Sequence, residues 1–200
     1  MSEHVFQRRS FISGMLLCAL AGWVRPISAH TPYQQWVVYR KKHLIIGTCR
    51  SDQDSYPFGK SIAELLLEEL PESKARAARA PSQQRLASLL TTEQLNLILL
   101  THKEATQLHK GQAPFKEYGP YDVKTVYPLG HYLLVSGSSF PNYHAWLVAQ
   151  TLSKKYKTPA SYEARELPVP IHPGLQAHLV GEVIAPEPLD DTIDADEHTH

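Results

Sequence analysis

The chain has 200 residues, of which 42% are hydrophobic, and it carries 20 basic and 20 acidic side chains. This is the length of one domain, and the apolar content is sufficient for a buried core, which excludes an intrinsically disordered protein. No cluster of Lys and Arg is interleaved with aromatic residues, so we do not expect nucleic acid as a partner.

Residues 1–29 have the features of a twin-arginine signal peptide. Arg8 and Arg9 form the arginine pair, and residues 11–23 are an apolar segment shorter than the roughly 20 residues that span a membrane. Cleavage after Ala29 would release the mature chain. We therefore expect export by the twin-arginine pathway to the periplasm. The alternative is an N-terminal anchor that stays attached, or an arginine pair without a targeting role.

Apolar periodicity and helix-capping signals predict an alternation of strands and helices after an N-terminal arm at residues 30–43. The predicted strands are residues 44–47, 74–80 and 96–100, and the predicted helices are residues 57–70, 83–91 and 103–109. Residues 74–80 are assigned to a strand by their position, although their Ala and Arg content favours a helix. This order implies a parallel sheet with right-handed crossovers.

The pattern changes in the second half of the chain. Residues 121–127 and 130–136 predict two strands that meet at Pro128, and a last helix is expected over residues 141–156. The prolines that follow predict a segment running over the surface. We therefore expect an α/β fold: a single lobe at residues 44–181, with a parallel or mixed sheet and helices on both faces.

The last residues of the chain differ from this lobe in charge. Residues 182–200 contain seven acidic residues and no Lys or Arg, whereas residues 30–181 contain 17 basic and 12 acidic residues. This composition predicts a disordered acidic tail. Within it, Asp196, His198 and His200 are candidate metal ligands. A solvated tail that binds no metal is the alternative.

The loops that follow the first three strands predict a binding site. Open α/β sheets bind ligands at the carboxyl ends of their strands, and helix N-termini offer free N–H groups to anions. We expect these loops to bind a small carboxylate or oxyanion, or a partner protein. The candidate ligand-binding residues are Thr48, Cys49, Ser51, Tyr56, Ser82, Gln83, Thr101 and His102. Alternatively, Ser82 and Thr101 serve only as helix N-caps.

Catalysis is not expected from this sequence. Cys49 is the single cysteine after residue 29, so it is either a buried small hydrophobic residue or a reactive thiol. Cys49 and His102, on neighbouring loops, are the one conceivable pair of nucleophile and base. The sequence contains no G-x-S-x-G, P-loop or dinucleotide-binding motif. We therefore predict a protein that is not an enzyme, with no catalytic residue and no cofactor.

Several motifs carry a family resemblance. Ile45-Ile46-Gly47-Thr48, followed by Tyr56-Pro57-Phe58-Gly59, resembles the opening of the TAXI family of TRAP-transporter solute-binding proteins. The segments 81–86, 97–100, 126–135 and 169–174 are similar to later segments of that family and occur in the same order. The resemblance implies a type II periplasmic-binding-protein-like fold, a role in transport, and a membrane transporter subunit as partner.

The chain departs from that family in its length. Family members close two lobes on their ligand, but residues 111–127 leave no room here for a second lobe. We therefore expect the first lobe alone, with a half-site that is open to solvent or to a partner. The alternatives are an accessory subunit or chaperone of an exported redox complex, suggested by the arginine pair, and a periplasmic metal-binding protein that uses the tail.

Overall fold

The computed structural model describes residues 43–157 and 167–185 of the chain. The predicted signal peptide, most of the predicted N-terminal arm and the candidate metal ligands of the tail lie outside these residues. Within the described residues, no helix combines the length and the apolar character needed to cross a membrane.

Five strands form one open, mixed sheet in the order β2-β1-β3-β5-β4. The strands are β1 (Ile45–Cys49), β2 (Arg76–Ala80), β3 (Leu97–Thr101), β4 (Val123–Leu129) and β5 (Tyr132–Gly137). The helices are α1 (Ser55–Glu69), α2 (Gln83–Thr91), α3 (His102–His109), α4 (Asn142–Ser153) and α5 (Pro173–Val180). β1 is parallel to β2 and to β3, whereas β5 is antiparallel to β3 and to β4. The prediction of a mixed α/β fold is confirmed.

β2 is a strand in spite of its helix-forming composition. All five of its residues pair with β1, from Arg76 opposite Ile45 to Ala80 opposite Cys49. Its alanines pack into the layers on both sides of the sheet, Ala77 with the cluster that includes α1 and Ala78 with the cluster that includes α2. Pairing and packing therefore override the intrinsic preference of Ala and Arg for a helix.

The core consists of two apolar layers, one on each face of the sheet. Leu97 and Leu99 of β3 join the layer that contains residues of α1, α4 and α5. Ile98 and Leu100 join the layer formed with α2 and α3. The continuous apolar run of β3 is explained by this burial on both faces, as the sequence predicted.

Helix α5 was not predicted, because the sequence analysis placed the last helix at residues 141–156. Pro173 stands at the first position of α5, where a missing N–H costs nothing and the fixed φ suits a helix. His172 is the N-cap of this helix. The prediction was wrong here because the proline was interpreted as a sign of irregular structure rather than as a helix start.

His172 is buried and uses both ring nitrogens. Its Nδ1 accepts a hydrogen bond from the N–H of Gly174 at 3.1 Å, and its Nε2 lies 2.9 Å from the carbonyl oxygen of Phe140. Because Nδ1 is an acceptor, the proton of the neutral ring belongs on Nε2, which donates to Phe140. Burial lowers the pKa of His172, and the positive charge of Lys124 lowers it further, against the bond to Phe140, which raises it.

This lowered pKa predicts a loss of stability in mild acid. The unfolded imidazole binds a proton near pH 6.5, but the folded one resists it. Stability is therefore retained above about pH 6.5 and decreases as the pH falls towards the lower, folded pKa. We expect the variant His172→Asn, which keeps a capping acceptor but does not titrate, to lose less unfolding free energy than the native chain between about pH 7 and pH 5.

Urea unfolding at a series of pH values measures this loss. Burial also lowers the pKa of His178, so the variant His178→Asn measures the part of the acid sensitivity that comes from this second histidine. Equal acid sensitivity in the native chain and in His172→Asn would contradict the prediction.

Candidate functional site

The carboxyl ends of the parallel strands mark a topological switch point. β2 lies on one side of β1 and β3 on the other, so the connection from β1 to β2 and the connection from β2 to β3 run in opposite directions across the sheet. Ligands of open α/β sheets bind in the crevice outside such a point. The amino end of β5 joins the same edge, because Tyr132 pairs with Thr101. We call this edge, formed by residues 49–56, 81–83, 101–104 and 130–132, the loop edge.

Asp52 is the centre of the loop edge. One oxygen of its carboxylate, Oδ1, accepts hydrogen bonds from the N–H groups of Asp54 at 3.1 Å and Ser55 at 3.3 Å. The other oxygen, Oδ2, accepts a bond from the hydroxyl of Tyr132 at 2.7 Å. Helix α1 begins at Ser55, so a carboxylate of the chain itself occupies the helix N-terminus where an external anion would bind.

Tyr132 is a fixed hydrogen-bond donor in this arrangement. Burial is the largest cause that raises the pKa of the Tyr132 hydroxyl, followed by its hydrogen bond to Asp52. The negative charges of Asp52, Asp54 and Glu104 raise this pKa further. The phenol therefore stays protonated at neutral pH and keeps donating to Asp52. These three carboxylates lie near the ring, and their negative charge disfavours a second anion nearby.

Two of the predicted ligand-binding residues at the end of β1 are buried. Thr48 donates from Oγ1 to the carbonyl oxygen of Ala78 at 2.9 Å, which ties β1 to β2. The thiol of Cys49 lies 2.9 Å from the hydroxyl of Ser51. Ser51 itself is exposed. Of these three residues, only Ser51 is on the surface, where a bound molecule would contact it.

Ser82 and Thr101 act as helix caps, as one of the two interpretations from the sequence proposed. Ser82 Oγ accepts the N–H of Arg85 at 3.1 Å. Thr101 Oγ1 accepts the N–H of Glu104 at 3.3 Å, while Glu104 Oε2 accepts the N–H of Thr101 at 2.8 Å. This is a capping box at the start of α3. The side-chain amide of Gln83 donates to the other oxygen of Glu104, which links α2 to α3.

His102 and Tyr56 lie on different parts of the surface. The ring Nε2 of His102 is 2.8 Å from the carbonyl oxygen of Gly130, so it joins α3 to the turn between β4 and β5. The ring of Tyr56 carries the guanidinium of Arg79, 3.9 Å from the ring centroid, next to β2. The thiol of Cys49 and the ring of His102 therefore have different partners, which gives no support to a nucleophile and base pair.

Charges of both signs are exposed at the loop edge. Arg50 and Lys103 contribute cations, and Asp54 contributes an anion, each on the surface. Gln53 and Ser51 add uncharged polar groups beside them. Exposed side chains of this kind are common on protein surfaces, and the rim of a protein contact has the same polar character.

Sequence reasoning missed Asp52, Glu104 and Tyr132, which organise the loop edge. The spacing of Thr101 and Glu104 matches a capping box, and this pattern could have identified Glu104. The contact between Asp52 and Tyr132 joins residues 80 positions apart and depends on the antiparallel placement of β5. No local pattern in the sequence reports such a contact.

A second concave feature lies at the other end of the parallel strands, opposite the loop edge. It is a cleft of about 530 Å³ at the amino ends of β1 and β3, where Leu44 and Asn96 lie. The end of α1 and the start of α4 form its walls, including Leu70, Tyr143 and Leu147. The predicted ligand-binding residues do not line this cleft.

Within residues 43–157 and 167–185 there is no group of three or more His, Cys, Asp or Glu side chains that could hold a metal ion. Neither the comparison with protein-family models nor that with curated proteins finds a match to this sequence. The structure alone therefore defines the class: a mixed α/β protein with a single open five-stranded sheet.

Proposed function

We propose that this chain is a non-enzymatic binding protein of the periplasm, similar to one lobe of a TAXI-type solute-binding protein. It recognises its ligand through the loop edge. The observation that carries this proposal is the convergence of the loops after β1, β2 and β3 at one edge of the sheet, beside a switch point. The mixed sheet with helices on both faces supports a type II periplasmic-binding-protein-like lobe.

The geometry favours a partner protein over a small anion as the ligand. Asp52 already accepts the N–H groups at the start of α1, and Ser82 and Thr101 already cap α2 and α3. At each of the three helix starts, N–H donors that would hold a small oxyanion are therefore already engaged within the chain: those of Asp54 and Ser55, of Arg85 and of Glu104. Solute-binding proteins bury a small ligand between two lobes, whereas the described residues form one sheet. A partner chain supplies the missing wall in this proposal.

A site-specific cross-linking experiment tests this proposal. The chain is expressed with its own residues 1–29 and carries a photo-cross-linking amino acid at Ser51, on the loop edge, or at the exposed Gln150 of α4 as the matched control. We expect the chain in the periplasmic fraction, and a discrete heteromeric product from position 51 but not from position 150. The identity of the product separates a transporter subunit from the second candidate, an exported redox enzyme that the Arg8-Arg9 pair suggests.

A thermal-shift screen with carboxylates, phosphate and sulfate accompanies the cross-linking. A ligand at 100 times its Kd stabilises a protein by about 2.7 kcal/mol, which raises the Tm of a chain of this size by several degrees. Such a shift would support the small-solute version of the proposal. The binding function is contradicted if no ligand shifts the Tm and positions 51 and 150 give the same products. Absence of the chain from the periplasmic fraction contradicts the proposed export.

A further inference from the structure

In the part of the chain that the structure describes, the sheet ends at β2, and some backbone groups of β2 point away from β1. The N–H of Arg76 donates to the carbonyl of Leu44, and the carbonyl of Ala80 accepts from Arg50, both at 2.9 Å. In a parallel ladder, alternate residues bond to a given neighbour. The N–H and C=O groups of Ala77 and Arg79 therefore point away from β1. No strand of the described residues pairs with this side of β2.

The other edge of the sheet is covered by the chain itself. On β4, the N–H of Thr125 donates to the carbonyl of Pro170 at 2.7 Å, and the carbonyl of Thr125 accepts from the N–H of His172 at 2.8 Å. Thr125 and Ile171 form a parallel bridge. Among residues 43–157 and 167–185, the chain thus covers the edge at β4 and leaves the edge at β2 able to accept a strand.

A groove of about 410 Å³ runs between the free edge of β2 and helix α1. Its apolar lining includes Ala63, Leu67 and Ala77. Leu67 is 45% exposed, so its side chain contributes accessible apolar surface to the groove. Side chains of a strand alternate between its two faces. A strand added to β2 would therefore place every second side chain over this groove.

The rim of the groove is positively charged. Lys60, Lys74 and Arg76 line it, and Arg79 follows on the same strand. One acidic residue, Glu64, lies among them and forms an exposed ion pair with Lys60 at 3.5 Å. Such a pair contributes little and leaves an excess of positive charge. These cations repel the same edge of a second copy and attract an acidic strand.

We propose that an extended acidic segment of a partner protein binds here and adds to β2 as a sixth strand. Its main chain bonds to Ala77 and Arg79, its apolar side chains enter the groove over Leu67, and its carboxylates meet the rim. This is the strand-addition mode of peptide recognition, in which main-chain bonds give affinity and alternate side chains give specificity. The groove touches the loop edge at Tyr56, which belongs to both. The proposal rests on the free side of β2 and the charges beside it, so it does not depend on the proposed function.

The experiment uses the full chain and two synthetic peptides of equal length, one alternating Glu and Val and one alternating Lys and Val. Binding is followed by NMR, together with hydrogen exchange at the amides of Ala77 and Arg79. We expect the Glu-Val peptide to bind, to protect both amides at least tenfold, and to dissociate as salt is raised. The Lys-Val peptide should not bind.

Two charge-reversal variants locate the site. The double variant Arg76→Glu/Arg79→Glu should weaken binding of the Glu-Val peptide more than tenfold. The variant Lys110→Glu/Lys116→Glu makes the same change in net charge at the C-cap of α3 and in the exposed segment that follows it, and should leave binding nearly unchanged. The proposal is overturned if both variants weaken binding equally, if the Lys-Val peptide binds as well, or if the two amides stay unprotected.

Hydrogen exchange of the protein without peptide shows whether another segment pairs with the free side of β2. Protection of Ala77 and Arg79 that disappears when the acidic residues of 187–197 are neutralised would assign the edge to the chain's own acidic segment. Protection that increases with protein concentration would assign it to a second copy. Either result overturns the proposal of a partner segment.

Discussion

Replacing Gly174 by alanine is expected to lower the free energy of unfolding by about 3 kcal/mol, the upper end for overpacking a core. A Cβ at this position would lie 2.3 Å from the carbonyl oxygen of Asn142 and 2.7 Å from the backbone nitrogen of Trp146. It would also lie 2.8 Å from the Cβ of Ala145. Two of these atoms belong to the backbone of α4, which cannot move aside as a flexible side chain can. Helix α5 must therefore shift away from α4.

Urea unfolding and the indole N–H resonance of Trp146 measure this effect. That N–H donates to the carbonyl of Glu182 at 2.9 Å, just beyond α5, so displacement of α5 should change its chemical shift. Gly130→Ala is the matched control: its φ of 69° makes alanine strained, but no atom lies within 4 Å of the added carbon. We expect it to cost about 1 kcal/mol. Equal losses in the two variants would contradict the steric explanation.

The part of the fold that could be predicted from sequence is the part in which local pattern and burial agree. The run from Leu97 to Leu100 is apolar at every position because both faces of β3 are covered. Ser82 and Thr101 indicated the starts of α2 and α3 because their side chains form the caps. In each case, the residues that determine the strand or the helix start lie within one short stretch of sequence.

The rest depends on contacts between distant residues. β5 lies next to β3 rather than at the edge of the sheet, and its direction places Tyr132 beside Asp52. Helix α5 is stabilised against α4 through Gly174, a glycine whose role is visible only when both helices are in place. The loops after β1, β2 and β3 meet at one end of the sheet, as the sequence predicted, but which of their groups form hydrogen bonds within the chain follows from this packing. Which of the predicted residues bind a ligand remains a prediction.

Asp52→Ala tests the most consequential of these contacts, and we expect it to lower the free energy of unfolding by about 3 kcal/mol. The carboxylate accepts two N–H groups at the start of α1 and the hydroxyl of Tyr132. A hydrogen bond to a charged group contributes about 1.5–3 kcal/mol, and water replaces part of what is lost at this half-buried position. Asp54→Ala removes the same charge at an exposed neighbour whose side chain makes no cap bond. That control should cost no more than about 0.5 kcal/mol.

The same variant shows whether Asp52 occupies an anion site. Removing the carboxylate leaves the N–H groups of Asp54 and Ser55 and the hydroxyl of Tyr132 directed at one vacated position. Sulfate or phosphate should then bind there and restore part of the lost stability, by RT ln(1 + [L]/Kd). Sulfate also stabilises proteins generally, so its effect on Asp52→Ala is compared with its effect on Asp54→Ala at matched ionic strength. A larger gain in stability for Asp52→Ala would support the interpretation that Asp52 blocks the N-terminus of α1 to small anions. A partner protein would then be the favoured ligand of the loop edge. Equal gains in stability for the two variants would contradict this interpretation. The loop edge would then favour a partner protein no more than a small anion.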